Sequence, residues 1–365
     1  MFRRARATAA SKWCSHLATS ELCRILPRTR ERGRGKPPKL LLPNVRFLSV
    51  CDTSSKTKPT IVSLQEKANE GKTISMITAY DYTSARLCDA AGFDILLVGD
   101  SLGMVQLGYT STEKVTMNDM LHHCKAVSRT SSNAFLVGDM PFGSYLNVND
   151  AVINACTLIK TGGMDAVKME GGRRVASHIA ASVDAGIPVM GHIGLTPQTA
   201  TQLGGYKVQG RTAEAALALY EDAKILEEAG CFSVVLECVP EKVACVITEN
   251  LRIPTIGIGA GRYTSGQVQV FHDVIGLYDR LQPKFSKRYA NTAQTIRDAL
   301  ALHREDIEGR VFPDSSHCFK IKQFEFDSFC NMVSQPSIES QHQCYEELEV
   351  DKAKMDMDMK AVGLY

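Results

Sequence analysis

Two patterns of hydrophobic and polar positions alternate along the chain. Short, almost wholly apolar runs are separated by longer stretches in which apolar residues recur at helical spacing. The apolar runs fall at 74–80, 95–99, 135–141, 166–172, 188–192, 234–238 and 254–261. Such a run, bounded by turn residues, predicts a strand buried on both faces, as in a parallel sheet. An eighth strand is placed near Pro283-Lys284-Phe285, where the pattern is weakest. One crossover between successive strands gives a parallel sheet. The roughly 260 residues between positions 59 and 319 approach the usual length of a (β/α)8 TIM barrel. The expected fold is therefore an α/β barrel of this kind with a short N-terminal helix. Ser63-Leu64-Gln65-Glu66 reads as the capping box of that helix and Gly71 as its stop. A doubly wound sheet is the alternative, but it gathers its polar residues at one switch point. Here nearly every strand ends in polar or glycine-rich residues.

Those ends carry the candidate chemistry. The run at 95–99 leads into Asp100 and Ser101, and the next run contains Asp139. Lys168 and Glu170 follow on the fourth run, His192 on the fifth and Glu237 on the sixth. Each has an ordinary reading: an aspartate as a helix cap, a histidine as a packed core residue, a glutamate and a lysine as a rim pair. Their recurrence at successive strand ends is what counts, because a barrel brings those ends to one mouth, where active sites sit. Asp100, Asp139 and Glu170 are hard oxygen ligands of the kind that suits Mg2+, and no Cys/His spacing points to zinc. With Lys168 and the Ser101 hydroxyl alongside, the set fits an anion held at two points, such as an α-keto carboxylate. A metal on the keto oxygen acidifies the adjacent C–H, and a base must then receive the proton. Glu237, expected across the mouth, is the candidate.

Composition bounds the partners. The 365 residues are 44% hydrophobic and 22% charged with a net charge of +2, which favours neither nucleic acid nor a membrane surface. The 12 cysteines form no CxxC pair and read as reduced core residues. The charge is unevenly spread: residues 1–51 hold nine Arg and three Lys against Glu21 and Glu31 only. Arg-rich and acid-poor, this segment reads as a mitochondrial transit peptide with a processing site at Arg46-Phe47-Leu48-Ser49. The domain plan is thus transit peptide and linker at 1–58, catalytic barrel at 59–319 and a partly disordered tail at 320–365. Within the barrel, the connection from Gly194 to Thr212 exceeds the length of a plain link, and its glycines suit hinges of a lid.

VGDSLGM (98–104), DMPF (139–142), VKMEGG (167–172), GHIGLTPQ (191–198), GGYKVQGR (204–211), LECVP (236–240) and IGIGAG (256–261) together resemble the ketopantoate hydroxymethyltransferase family, in family order. The resemblance implies transfer of a hydroxymethyl group from 5,10-methylenetetrahydrofolate to 3-methyl-2-oxobutanoate, giving 2-dehydropantoate in pantothenate synthesis. It implies a Mg2+ site at Asp100, Asp139 and Glu170 and ketoacid contacts from Asp100, Ser101, Asp139 and Lys168. Glu237 would be the proton acceptor, and His192 would hydrogen-bond substrate or product. A homo-oligomer, commonly a decamer, and a mitochondrial location are further implications. A Mg-dependent C–C lyase of the isocitrate lyase or phosphoenolpyruvate mutase type shares the barrel and the ketoacid chemistry. Those lyases commonly carry a Lys-Lys-Cys-Gly-His motif, which this chain lacks.

Overall fold

The computed structural model describes residues 57–130 and 133–334. The basic segment at 1–51, its processing site and the tail from 335 onward lie outside the described residues. Eight parallel strands close into a barrel in sequence order: β1 (Ile74–Thr78), β2 (Ile95–Val98), β3 (Phe135–Asp139), β4 (Ala166–Glu170), β5 (Val189–Gly194), β6 (Ser233–Glu237), β7 (Thr255–Ile258) and β8 (Gly266–Gln269). β8 pairs with β1 through Ile74↔Gly266 and Met76↔Val268, which completes the ring.

The period of two along each strand divides the side chains between two cores. Ile95 and Leu97, Phe135 and Val137, Ala166, Met190, Val235 and Ile256 fill the barrel interior. Leu96 and Val98, Leu136, Val167 and Met169, and Val234 and Leu236 pack outward against the helices. Continuing the inward set by two residues reaches Asp139 on β3, Lys168 and Glu170 on β4, His192 on β5 and Glu237 on β6. The polar residues are thus the top layer of the same inward face whose lower layers are apolar.

The eighth strand lies at Gly266–Gln269, not near Pro283-Lys284-Phe285. Its four residues Gly-Gln-Val-Gln carry only one apolar side chain, so they show no apolar run. The position is fixed by close approach instead: a Cβ on Gly266 would stand 2.6 Å from Ile256 Cδ1 and 2.7 Å from the Ile74 carbonyl oxygen. Phe285 lies in a loop at the mouth, packed on the inner core.

The N-terminal helix spans Ile61–Asn69, and its cap is Thr60 rather than Ser63. Ser63 is the third helical residue and completes the box by accepting from the Thr60 N–H at 2.8 Å. At the other end Gly71 takes φ +74°, with Gly71 N–H donating to Ala68 O and Lys72 N–H to Lys67 O. This is the bonding of a Schellman stop. Leu64 of this helix joins the inner core. Past the barrel, the tail contains a helix, Gln323–Ser334, with every residue exposed. All eight described cysteines are unpaired. Among the described residues no helix is long and apolar enough to cross a membrane.

Candidate active site

Asp100, Asp139 and Glu170 converge at the mouth, each offering a carboxylate oxygen within 4.8 Å of the others. Asp139 and Glu170 come from adjacent strands, and Asp139 is the register partner of Lys168. Asp100 lies in the turn after β2, where its own backbone N–H donates to Asp139 Oδ2 at 3.2 Å. Ser101, the next residue, pairs its Oγ with the Tyr80 hydroxyl at 2.8 Å.

Lys168 supplies the opposing charge. Its Nζ is 2.7 Å from Asp139 Oδ1 and 3.6 Å from Glu170 Oε1, with its side chain 5% exposed and theirs 2%. Burial alone would disfavour the ammonium, but Asp139 and Glu170 outweigh it and hold Lys168 charged. Asp100 is pushed well above the usual carboxylate range, first by burial and then by Asp139 and Glu170. Burial also raises Asp139, against the pull of Lys168. Glu170 ends below its ordinary value because His192 and Lys168 overcome its burial.

His192 bridges two carboxylates. Nδ1 is 3.3 Å from Glu170 Oε1, and Nε2 is 3.2 Å from Glu237 Oε2. Burial and Lys168 push its imidazole down, but Glu170 and Glu237 carry it up to about 9. Lys168 Nζ also stands 3.3 Å from Nδ1, and Nε2 makes no well-aligned hydrogen bond despite its burial. Glu237, the last residue of β6, has a side chain 14% exposed, against 5% for Lys168, 3% for His192 and 2% for Asp139 and Glu170. Its backbone is held tightly from behind: a Cβ on Gly194 would stand 2.2 Å from the Glu237 carbonyl oxygen.

Every site residue expected from the sequence therefore reaches the mouth. Gln198 and Tyr145 join them without any such expectation. Gln198 is 2% exposed, donates from Nε2 to Asp100 Oδ2 at 2.9 Å and to Met140 O at 2.8 Å, and donates from its backbone N–H to Glu170 Oε2 at 3.1 Å. Tyr145 donates its hydroxyl to Gln198 Oε1. The sequence signals for Gln198 are its place at the end of GHIGLTPQ and the preceding Pro197, which starts the 3-10 turn Pro197–Thr199 inside the long connection. That connection is anchored at Gln198, and its Tyr206, Lys207 and Val208 line the cavity above the carboxylates, as a lid would.

The residues fit a divalent cation. Asp100, Asp139, Glu170 and Glu237 are four carboxylates against two cations, the Lys168 ammonium and the His192 imidazolium, and the negative charge left over is costly under burial. Asp139 Oδ1 also makes no well-aligned hydrogen bond despite its burial. The fold and the site together define a (β/α)8-barrel enzyme with a carboxylate–lysine centre suited to a small oxyanion and a hard metal ion.

The family profile described as Ketopantoate hydroxymethyltransferase matches residues 58–315, a span that contains all seven motifs from VGDSLGM to IGIGAG. A protein of Heliobacterium modesticaldum named 3-methyl-2-oxobutanoate hydroxymethyltransferase is 56% identical over 263 residues, covering 72% of this chain and 95% of that one. One of the same name from Moorella thermoacetica is 53% identical over 268 residues, covering 73% of this chain and 100% of that one. A solved candidate phosphonomutase from Burkholderia cenocepacia J2315 superposes with a TM-score of 0.51 at 13% identity, covering 68% of this chain and 100% of that one; it shows the fold alone. The chain belongs to the ketopantoate hydroxymethyltransferase family. The lyase alternative is left with nothing beyond the shared barrel.

Proposed function

We propose that this chain transfers a hydroxymethyl group from 5,10-methylenetetrahydrofolate to 3-methyl-2-oxobutanoate, giving 2-dehydropantoate and tetrahydrofolate, with Mg2+ held by Asp100, Asp139 and Glu170. The observation that carries this reading is the placement of Glu237. It is the accessible carboxylate of the group, and one imidazole joins it to the buried Lys168–Asp139–Glu170 set. A bound divalent cation would draw electron density from the keto oxygen and acidify the neighbouring C–H. Lys168 and Ser101 hold the ketoacid's oxygens. Glu237 receives the proton from C3, and His192 fixes the direction of its carboxylate. C3 then bonds to the methylene carbon, whose two C–N bonds to the folate N5 and N10 break; water supplies the hydroxyl on that carbon, and the proton from C3 and the remaining proton of the water end on the two nitrogens of tetrahydrofolate. Tyr206 and Val208 from the long connection help to exclude bulk water from the cavity.

The decisive assay is tetrahydrofolate-dependent formation of 2-dehydropantoate with Mg2+ and with a chelator. Product is expected only with the metal. Absence of product with Mg2+, or equal product without divalent cations, would overturn the reading. The proposal extends to a mitochondrial location through residues 1–51 and to a decameric homo-oligomer. Fractionation with N-terminal sequencing tests the first, and light scattering on the purified protein tests the second. Trp13 is the only tryptophan, so protein processed near Ser49 would lack tryptophan fluorescence.

A further inference from the structure

The cavity that holds the carboxylates has a volume of about 440 Å³, in the range that accommodates a drug-sized molecule and far more than a small ketoacid fills. Beyond Glu237 it runs to the end of β8 and the loop carrying Tyr278 and Phe285. This second side has mostly apolar and aromatic walls, with Gln269 and the exposed Lys284 also lining it, and one charged group is buried in it. Asp273, in the short helix Phe271–Val274 after β8, is 6% exposed and lines the cavity. Among the described residues no N–H or O–H donates to its carboxylate and no cation comes within ion-pair distance. Neither of its oxygens is sealed off. Arg288 acts on it only at longer range, and its own guanidinium donates to the Tyr278 carbonyl at 3.2 Å.

A buried carboxylate without a donor is costly, and that cost disappears when a ligand supplies the donors. Resting on the function proposed above, we infer that Asp273 is the anchor for the reduced pterin ring of the folate co-substrate. The 2-amino-4-oxo ring carries an amino group and a ring N–H on adjacent atoms, a donor pair that matches the two oxygens of one carboxylate. Phe285 and Tyr278 offer apolar faces for the flat ring. His272, the neighbour of Asp273, has its ring centre 5.4 Å from that of Tyr80, and Tyr80 in turn holds Ser101. A ring anchored there sits beside the ketoacid site rather than away from it. Burial raises the Asp273 carboxyl to about 6 against the pull of Arg288, so at neutral pH the accepting form still predominates.

The test is titration calorimetry on the full protein with Mg2+ present, using tetrahydrofolate and 3-methyl-2-oxobutanoate as separate probes. Asp273→Asn keeps the shape but turns an N–H group toward the ring donors. It should weaken tetrahydrofolate about 10–100-fold, with the loss confined to that ligand. Asp273→Ser serves as a second variant, and a thermal melt of each confirms a folded chain. Unchanged tetrahydrofolate affinity in both folded variants would overturn the inference and leave the proposed reaction standing. An equal loss for both ligands would also overturn it. A wild-type protein that does not bind tetrahydrofolate would remove the inference and the underlying reading together.

Discussion

Replacing Lys168 by Met tests the electrostatics of the site directly. The side chain length is nearly preserved, but the ammonium 2.7 Å from Asp139 and 3.6 Å from Glu170 is lost. At an effective dielectric of about 20, a pair at the shorter distance attracts by roughly 6 kcal/mol before desolvation. Removing the lysine also removes its own desolvation cost, so the net loss is smaller; breaking a buried pair costs about 3–5 kcal/mol. For a domain of this size each kcal/mol moves the melting temperature by about 2–4 °C, which predicts a drop of roughly 6–20 °C in chelator. Mg2+ bound between the same carboxylates should restore much of the missing positive charge. At a hundredfold excess over its dissociation constant, a ligand of the folded state adds about 2.7 kcal/mol. The gap between wild type and variant should therefore narrow markedly as Mg2+ is titrated, in thermal melts followed by circular dichroism. A variant that melts with the wild type in chelator, or a gap that Mg2+ leaves unchanged, would refute the charge accounting and weaken the metal assignment.

Three further outcomes are expected. Glu237→Gln should retain ketoacid binding while turnover falls by about 10²–10⁴-fold, and near-normal kcat would remove it from the role of base. Gly194→Ala would place a methyl 2.2 Å from the Glu237 carbonyl oxygen at a residue with φ +93°, so both stability and kcat should fall, the backbone strain alone costing about 1–2 kcal/mol; a variant with wild-type kcat and melting temperature would show that β6 yields freely there. Asp273, with its carboxyl raised to about 6, binds more protons folded than unfolded between its ordinary value and that pH. The Asp273 contribution to stability without ligands should therefore fall as pH rises from about 4 to about 6, by on the order of 3 kcal/mol, and stay level above that. Denaturant titrations should show a shallower decline over this range in Asp273→Asn than in wild type, and a decline identical to wild type would assign it to other groups such as Asp100 and Asp139.

The strands, the barrel and most of the site were legible in the chain because of one geometric regularity. Residues two apart on a strand face the same way, so Phe135, Val137 and Asp139 announce an apolar interior that turns polar at its upper end. The same alternation carries Ala166 to Lys168 and Glu170, and Val235 to Glu237. β8 escaped detection because steric exclusion defines it, through Gly266 against Ile74 and Ile256, and not apolar burial. The helix cap shifted from Ser63 to Thr60 because the box there is closed by the Ser63 hydroxyl, and not by the glutamate or glutamine that marks the pattern in a sequence.

What the sequence by itself determined was the order of strands and the identity of the groups that meet at their ends, since both follow from local periodicity. Only the tertiary structure decided how those groups share their charges and which loop residues join them. Gln198 binds Asp100, almost a hundred positions away, through a contact that no local pattern encodes. The link from Glu170 through His192 to Glu237 depends on angles between neighbouring strands in the closed barrel. Asp273 looks like any helix-turn aspartate until the folded chain surrounds it and, among the described residues, leaves its carboxylate without a donor. Burial and pairing are properties of the closed barrel and its loops, and they set what each carboxylate can do.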